Sequence, residues 1–274
     1  MAANNNLTTL ANAKAWAGVT TSNDDALLTR LIASASRFIL SYIERPSLFK
    51  NSYADVFDGV GQRSQMLRNW PVISVQSLVL GNQLIPASPG YPQCGYVLDA
   101  PSAFPPGSPQ RISLYGHRFP FNAPASVNVV YTAGFVVKNE PWTIPATPYQ
   151  VTVNAPLGSW GADAGVTYAN GTALTAIASG TPAAGQYIAP TAANAFYQFA
   201  AADANAAVLI SYSYIPADIE DACINMVGER YNYKGRIGYV SKSLGGQESV
   251  TFSVKNMPDY VKSVLQPYKS YIPV

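Results

Sequence analysis

Apolar residues recur at helical spacing in the first fifty residues, and they predict two helices. A capping-box pattern from Ser22 to Asp25 begins the second helix. Pro46 ends it, because proline disfavours helical backbone in the residue before it. The first helix is predicted to end near Gly18, on the positions Leu7, Leu10, Ala11 and Lys14. The second carries a longer apolar stripe: Leu27, Leu28, Leu31, Ile32, Ala35, Phe38, Ile39, Tyr42 and Ile43.

Short alternating segments follow Pro46 and predict strands. Turns are predicted at Asp58-Gly59 and at Gly81-Asn82. Residues 86–109 are rich in Pro, Gly and Ser and are predicted to be mainly loop. The predicted strands are 53–57, 65–69, 72–80, 96–98, 111–115 and 126–131.

A charge-poor stretch lies between Pro141 and Ala217, where Asp163 and Asp203 are the only charged residues. Asn170-Gly171 predicts a hairpin with a type I′ turn, which needs positive φ at both central positions. Several short strands at this spacing predict a small β-sandwich or barrel. These strands are 150–154, 165–168, 172–177, 186–188, 195–199 and 207–214.

Helical spacing returns at Pro216, where Asp218, Glu220 and Asp221 suit the positive end of a helix dipole. The apolar face of this helix includes Cys223, which we expect to be a buried free thiol. Residues 235–256 lack a clear period. A final helix is predicted, capped by Asn256 and Asp259 with an apolar side of Val261, Val264, Leu265 and Tyr268.

The predicted fold class is α+β. A helical frame, made of the N-terminal helix pair and the late and C-terminal helices, carries a small antiparallel β region and an inserted β-sandwich-like domain. We divide the chain into three parts. Residues 1–137 hold the first helices and the β region, 138–214 the inserted module, and 215–274 the late helix, a flexible arm and the last helix.

Composition narrows the function classes. Charged residues are 12% of the 274 residues, and the net charge of +2 is too small to indicate bulk nucleic-acid binding. Low charge leaves less repulsion between copies and is compatible with assembly into a larger body. Met1–Leu10 lacks the pattern of a secretory signal, and no apolar run is long enough to predict a membrane span.

Residues with catalytic or metal-binding chemistry are few. His117 is the single histidine, and no serine lies in a G-x-S-x-G motif. Two distant cysteines, Cys94 and Cys223, supply neither a zinc site nor a disulfide framework. Asp55 and Asp58 are interpreted as turn chemistry, although a carboxylate pair remains open on spacing. We therefore expect no enzyme, no cofactor and no metal.

Two features favour interaction. From Arg230 to Gln247 the charges are all basic, which suits either an arm that binds an acidic partner or cations at a helix C-terminus followed by a solvated loop. The candidate arm residues are Arg236, Ile237, Tyr239, Val240, Lys242, Leu244, Val250 and Phe252. Tyrosine, 18 in all, is common at interfaces and in carbohydrate-binding surfaces, and is also an ordinary strand residue.

The order of these elements resembles the head–tail connector (adaptor) proteins of tailed bacteriophages. The segments 7–14 and 24–28 with the long helix that follows, 67–75, 129–135 and 215–222 carry the resemblance. The strand and the late helix are nearly contiguous in that family, whereas about eighty residues intervene here. Two segments of the insert, 165–172 and 199–212, are similar to a small β module that recurs in phage structural proteins.

The resemblance implies a structural virion protein of the phage neck, synthesised in the host cytoplasm. It implies a homo-oligomeric ring, typically of twelve copies, that docks beneath the portal protein and contacts a tail-side completion, terminator or tube protein. DNA would pass through the channel without sequence-specific binding, and no membrane is involved. Neighbouring helices would pack side by side, with Tyr231, Tyr233 and Lys234 as candidate inter-subunit residues, and the module would decorate the outer face.

The alternative is a phage receptor- or glycan-binding β-rich protein. It predicts exposed aromatic side chains around Tyr168, Tyr187 and Tyr197.

Overall fold

The structure, a computed structural model, describes residues 5–90, 92–98, 111–191, 194–234, 241–244, 248–251 and 257–270. The fold is mixed α+β, which confirms the predicted class. Contacts divide the chain into two compact units. We call Met1–Glu44 with Pro216–Lys269 the helical unit, and Arg45–Ile215 with Ser270–Val274 the β unit.

Four α-helices form the helical unit: α1 (Leu10–Ala17), α2 (Asp25–Tyr42), α3 (Ala217–Tyr233) and α4 (Asp259–Leu265). Thr9 caps α1, since its hydroxyl accepts a hydrogen bond from the Asn12 N–H at 3.2 Å. Gly18 ends α1 in the left-handed conformation, with φ of 66°, as the sequence predicts.

The helix caps differ from the sequence prediction in two places, and one residue of the predicted apolar stripe is exposed. The N-cap of α2 is Asp24 rather than Ser22, and Asp24 makes no side-chain cap because its carboxylate binds elsewhere in the unit. Pro258 precedes α4 as its N-cap, and Asp259 is the first helical residue. Asn256, the other predicted cap, lies outside the described residues. Phe38, assigned to the apolar stripe of α2, is 38% exposed.

The core of the helical unit is formed where α2, α3 and α4 bury their apolar faces. Cys223 is buried as predicted, and burial raises the pKa of its thiol to about 11. Its Sγ lies 3.6 Å from the Ser36 hydroxyl. The main apolar residues of this core are Leu28, Ile32, Ala35, Ile39, Ile219, Ala222, Met226, Val227, Val261 and Leu265.

Two antiparallel sheets build the first part of the β unit. Strands β1 (Asn51–Val60), β3 (Val72–Leu80), β4 (Gln83–Ile85) and β7 (Phe121–Ala133) pair in the order β1-β7-β3-β4. Strands β2 (Ser64–Met66), β5 (Gly95–Leu98) and β6 (Arg111–Tyr115) pair in the order β2-β6-β5. Their shared core includes Phe57, Leu67, Leu78, Ile112, Phe119, Val127, Val129 and Tyr131.

One of the two predicted turns in this region is correct. Gly81, with φ of 59°, turns the chain between β3 and β4. Asp58-Gly59 is not a turn, because both residues lie inside β1 at an irregularity of its pairing with β7. The Asp58 carboxylate accepts a hydrogen bond from the Ala125 N–H at 2.8 Å, and so stabilises that irregularity rather than a chain reversal.

Two further sheets follow in the β unit. Strands β8 (Val136–Thr143), β10 (Gly158–Tyr168) and β14 (Ala207–Pro216) pair in the order β10-β14-β8. Strands β9 (Gln150–Val151), β11 (Thr175–Ala176), β12 (Gln186–Ile188) and β13 (Tyr197–Phe199) pair in the order β11-β12-β13-β9. The sequence prediction missed β8, and the proposed start of the module at residue 138 falls inside that strand. The module boundaries stay a prediction.

The hairpin predicted at Asn170-Gly171 is present with a different turn. The Gly171 N–H donates to the Tyr168 carbonyl at 2.9 Å, so Ala169 and Asn170 occupy the central positions. Gly171 has φ of 89°, whereas Asn170 is not left-handed. A type I′ turn is therefore excluded, and the glycine follows the turn, where the strand resumes.

A β-hairpin occupies part of the region where the sequence shows no clear period. Strands β15 (Ser241–Leu244) and β16 (Glu248–Thr251) pair antiparallel, with Ser241 opposite Thr251.

Candidate interaction surfaces

The C-terminal end of α3 is tied to the start of α2 by one carboxylate. The Tyr231 hydroxyl donates to Asp24 Oδ2 at 2.6 Å, and Lys234 Nζ lies 3.0 Å from the same oxygen. Lys234 Nζ also lies 4.3 Å from the centroid of the Tyr231 ring. The hydrogen bond from Tyr231, and then that from Lys234, lowers the pKa of Asp24. This cluster therefore joins the C-terminal end of α3 to the N-terminal end of α2.

Two of the three candidate inter-subunit residues therefore already have partners within the chain. Tyr231 and Lys234 both bind Asp24, and Tyr233 is partly exposed beside them. Their role between subunits stays a prediction. The Lys234 ion pair is solvent-exposed, with the lysine side chain 48% exposed, so it contributes little to stability by itself.

A buried carboxylate joins α1 to α3. The sequence predicts Glu220 to be a charge that suits the helix dipole, yet this residue is only 8% exposed. Its Oε1 accepts hydrogen bonds from Asn12 Nδ2 at 2.7 Å and from the Thr8 hydroxyl at 3.1 Å. The signal that could have identified it is its helical spacing to Cys223 and Val227, which places Glu220 beside the apolar face of α3.

The candidate arm coincides in part with the β15–β16 hairpin. Lys242 and Leu244 lie in β15 and Val250 in β16, where Lys242 is paired with Val250. The other candidate residues, Arg236, Ile237, Tyr239, Val240 and Phe252, lie outside the described residues. A two-stranded hairpin of this length is marginally stable in water, which suits a segment that gains stability by docking.

Asp163 is a hydrogen-bond centre between the two sheets that follow residue 135. Its oxygens accept from the Tyr187 hydroxyl at 2.6 Å and from the Tyr197 hydroxyl at 3.1 Å. Trp160 Nε1 in turn donates to the Tyr197 hydroxyl at 3.1 Å. Burial, followed by the hydrogen bond to Asp163, raises the pKa of Tyr187 well above its usual range.

Asp203 and Glu140 have the same function elsewhere in these sheets. Asp203 accepts from the Tyr168 hydroxyl at 2.8 Å and from the Gly185 N–H at 2.9 Å. Glu140, 9% exposed, accepts from the Tyr212 hydroxyl, from Trp142 Nε1 at 2.8 Å and from the Asn154 N–H at 2.8 Å. Each acid of residues 140–215 is therefore an internal acceptor rather than a surface charge.

This geometry argues against the receptor- or glycan-binding alternative. Tyr187 and Tyr197 are 2% and 0% exposed, and the hydroxyl of Tyr168 is bound to Asp203. The alternative predicts exposed aromatic side chains around these three residues, and this prediction is wrong for Tyr187 and Tyr197. Their rings pack on each other and on Phe199 inside the fold, with centroids 6.0 Å and 6.2 Å from Tyr187.

An open cleft of about 530 Å³ lies in the β unit. The carboxylate that lines it, Asp163, is already occupied by Tyr187 and Tyr197, and Lys50 Nζ lies 3.4 Å from the Ala164 carbonyl. The cleft therefore presents no nucleophile with a neighbouring base. It is lined by Lys50, Asn51, Ser52, Thr132, Ala162, Asp163, Ala164, Gly165 and Ser213.

Other chemistry is equally sparse in the part of the chain that the structure describes. His117 lies in the loop after β6, and no group of three His, Cys, Asp or Glu side chains there could hold a metal ion. None of the helices in the described ranges has the length and apolar content to cross a membrane.

Comparison with known proteins adds one match. Residues 7–66 match the family model described as phage gp6-like head-tail connector protein. This segment covers α1, α2, β1 and β2. A search of curated proteins gives no match to the chain. Residues 7–66 are therefore similar to the phage gp6-like head-tail connector family, whose members are structural virion proteins of the head–tail junction.

Proposed function

We propose that the chain forms a ring under the portal protein and links the capsid to the tail. The ring contains twelve copies, as the family resemblance implies, and surrounds a channel. DNA passes through this channel without sequence-specific contacts. On the tail side the ring binds a completion, terminator or tube protein.

The observation that carries this proposal is the match of residues 7–66 to the connector family. The matched helices do not form a core alone. Helices α1 and α2 bury their apolar faces against α3, and Glu220 of α3 binds Thr8 and Asn12. The connector domain therefore includes the C-terminal helices, although a long β-rich segment separates them from α2 in the sequence.

The segment after α3 is the arm that meets the portal or a neighbouring copy. Its charges from Arg230 to Gln247 are all basic, and its described part is a two-stranded hairpin with no other strand paired to it in the described ranges. A short hairpin gains stability from a third strand or an apolar surface. Ordering on binding lets such a segment cover a large surface despite the entropic cost.

Docking of the purified chain to tail-less phage heads tests the proposal. The wild-type chain should bind the heads, and deletion of residues 238–250 should weaken docking by tenfold or more, about 1.4 kcal/mol. Thermal unfolding of the deletion variant should match wild type, because the buried apolar side chains of α2, α3 and α4 that form the core of the helical unit all lie outside the deletion.

A matched control replaces residues 238–250 with a Gly/Ser segment of equal length. It should dock as poorly as the deletion variant if the sequence of the arm makes the contact. Normal docking by the deletion variant would show that the arm does not make the contact. Absence of wild-type binding to heads would contradict the connector function.

A further inference from the structure

The β unit carries an exposed basic–aromatic patch, which we define as Arg63, Arg118 and Phe121. Phe121 is 83% exposed, the most exposed large apolar side chain among the described residues. Its ring covers Gly61, where an added Cβ would lie 2.8 Å from Phe121 Cδ2. The Arg63 carbonyl accepts from the Leu114 N–H at 2.8 Å, and the Gln62 carbonyl accepts from the Phe119 N–H at 2.9 Å. The backbone at Arg63 therefore pairs with the segment that contains Arg118 and leads to Phe121.

In the part of the chain that the structure describes, the two arginines of this patch have no acidic partner. The segments 59–98 and 111–139 contain no Asp or Glu, and no ion pair within the described residues involves Arg63 or Arg118. The nearest acid in β1, Asp58, accepts the Ala125 N–H. An exposed phenylalanine with two exposed arginines on the neighbouring backbone has the composition of an interface hot spot.

The helical unit carries a second exposed surface, the acidic–apolar patch, which we define as Glu229, Asp259, Tyr260 and Val264. Tyr260 and Val264 of α4 are 53% and 37% exposed. The Asp259 side chain is 67% exposed and forms an exposed ion pair with Lys262 at 3.4 Å. Glu229 of α3 lies near enough to Tyr260 to raise its pKa, after the larger effect of burial.

We propose that the basic–aromatic patch of one copy binds the acidic–apolar patch of the next copy. Phe121 would pack on Tyr260 and Val264, and the two arginines would pair with Glu229 and Asp259. The two surfaces are unlike, so the contact is heterologous, and repetition of a heterologous contact builds a ring when its rotation closes. The inference rests on the proposed ring and names the contact that forms it.

A second copy suits these residues better than DNA does. Two arginines per copy reach few phosphates, whereas sequence-independent DNA binding depends on many. The phosphate backbone also offers no apolar surface to Phe121. A copy of the same chain supplies both the carboxylates and the exposed apolar side chains.

A charge-swap experiment on the full chain tests the proposal. Sedimentation velocity over a concentration series measures self-association of wild type, of Arg63→Glu with Arg118→Glu, and of Glu229→Lys with Asp259→Lys. Each variant alone should associate at least about tenfold more weakly than wild type, because its two surfaces then repel. An equimolar mixture should associate again, because both of its possible contacts join opposite charges.

Two controls separate this contact from a general charge effect. Arg68→Glu with Lys138→Glu changes the net charge by the same amount outside the patch and should associate like wild type. Phe121→Ala removes the aromatic ring without changing charge and should weaken association at every salt concentration. The contribution of the arginines should fall as salt rises.

Three results would overturn the proposal: a monomeric wild-type chain at every concentration, unchanged association of both charge-reversed variants, or a mixture that stays dissociated. Docking to phage heads is measured separately. If the wild-type chain docks normally and the charge reversals do not change self-association, the proposed contact is wrong. The connector function would then still stand.

Discussion

The two halves of the β unit differ in their cations and not in the use of their acids, since Asp55 of the first half also accepts a tyrosine hydrogen bond, from Tyr131 at 2.6 Å. The first β region, residues 51–133, exposes arginines such as Arg63 and Arg118 that have no acidic partner in the described ranges. The second β region, residues 136–216, has no arginine, and its lysine is Lys138 near the start. The acids of the second region are bound internally by tyrosine, tryptophan and backbone donors.

This difference teaches that a charge-poor sequence need not mark a binding surface. The acids in the second region are acceptors that satisfy buried hydroxyl and indole donors. Its surface is left almost without charge, which favours close contact with neighbouring protein. The first region exposes Arg63 and Arg118 to water. The charged residues that are exposed to a partner therefore lie outside the charge-poor stretch between Pro141 and Ala217.

The comparison predicts that the replacement of Glu140 causes the largest loss of stability. Its replacement by alanine leaves three donors, from Tyr212, Trp142 and the Asn154 N–H, without their acceptor. Glu140→Ala should lower the free energy of unfolding by about 3–5 kcal/mol. Urea unfolding, followed by tryptophan fluorescence, measures this change.

Two variants control for the general cost of substitution. Glu140→Gln keeps one acceptor oxygen and should lose less stability than Glu140→Ala. Arg63→Ala, in the first β region, should change stability by less than about 0.5 kcal/mol, because the side chain is exposed. Equal losses for Glu140→Ala and Arg63→Ala would contradict the contrast between the two regions.

Alkaline pH is expected to have a smaller effect on the stability of the fold. Burial, and then a hydrogen bond to Glu140, raises the pKa of Tyr212, as burial and Asp163 do for Tyr187. A raised pKa means that the folded state retains the phenolic proton. This contribution is complete below the unfolded pKa of about 10 and is lost as pH rises toward the folded pKa.

Stability should therefore decrease above about pH 10. Thermal unfolding between about pH 9 and pH 11 measures the slope. Tyr187→Phe removes one ionisable hydroxyl and should reduce that slope while lowering stability at neutral pH. A stability that stays flat over this range would refute the account of the tyrosine–carboxylate bonds.

Local periodicity predicted the helices and most strands because those elements are stabilised by a repeating apolar face. The stripe of α2 and the buried Cys223 of α3 are examples. The sequence prediction missed two kinds of feature. Strand β8 carries charged and proline residues, Lys138, Glu140 and Pro141, which conceal its pattern. Turn geometry at Asp58-Gly59 depends on pairing with β7, which no local pattern contains.

The candidate surfaces were harder to predict than the fold. The sequence indicates the basic segment after α3, but not that Tyr231 and Lys234 bind Asp24 at the far end of the chain. It also gives no measure of exposure, so Phe121 looks like any strand residue until its 83% exposure is known. These properties arise from tertiary packing and not from local spacing.

Electron cryomicroscopy of the assembled phage neck tests the central claim most directly. The account predicts a ring of this chain between the portal and the tail, with the helical unit resolved in each copy and DNA or an open channel on the ring axis. Location of the chain on a tail fibre, or as a discrete trimer away from the portal, would contradict it.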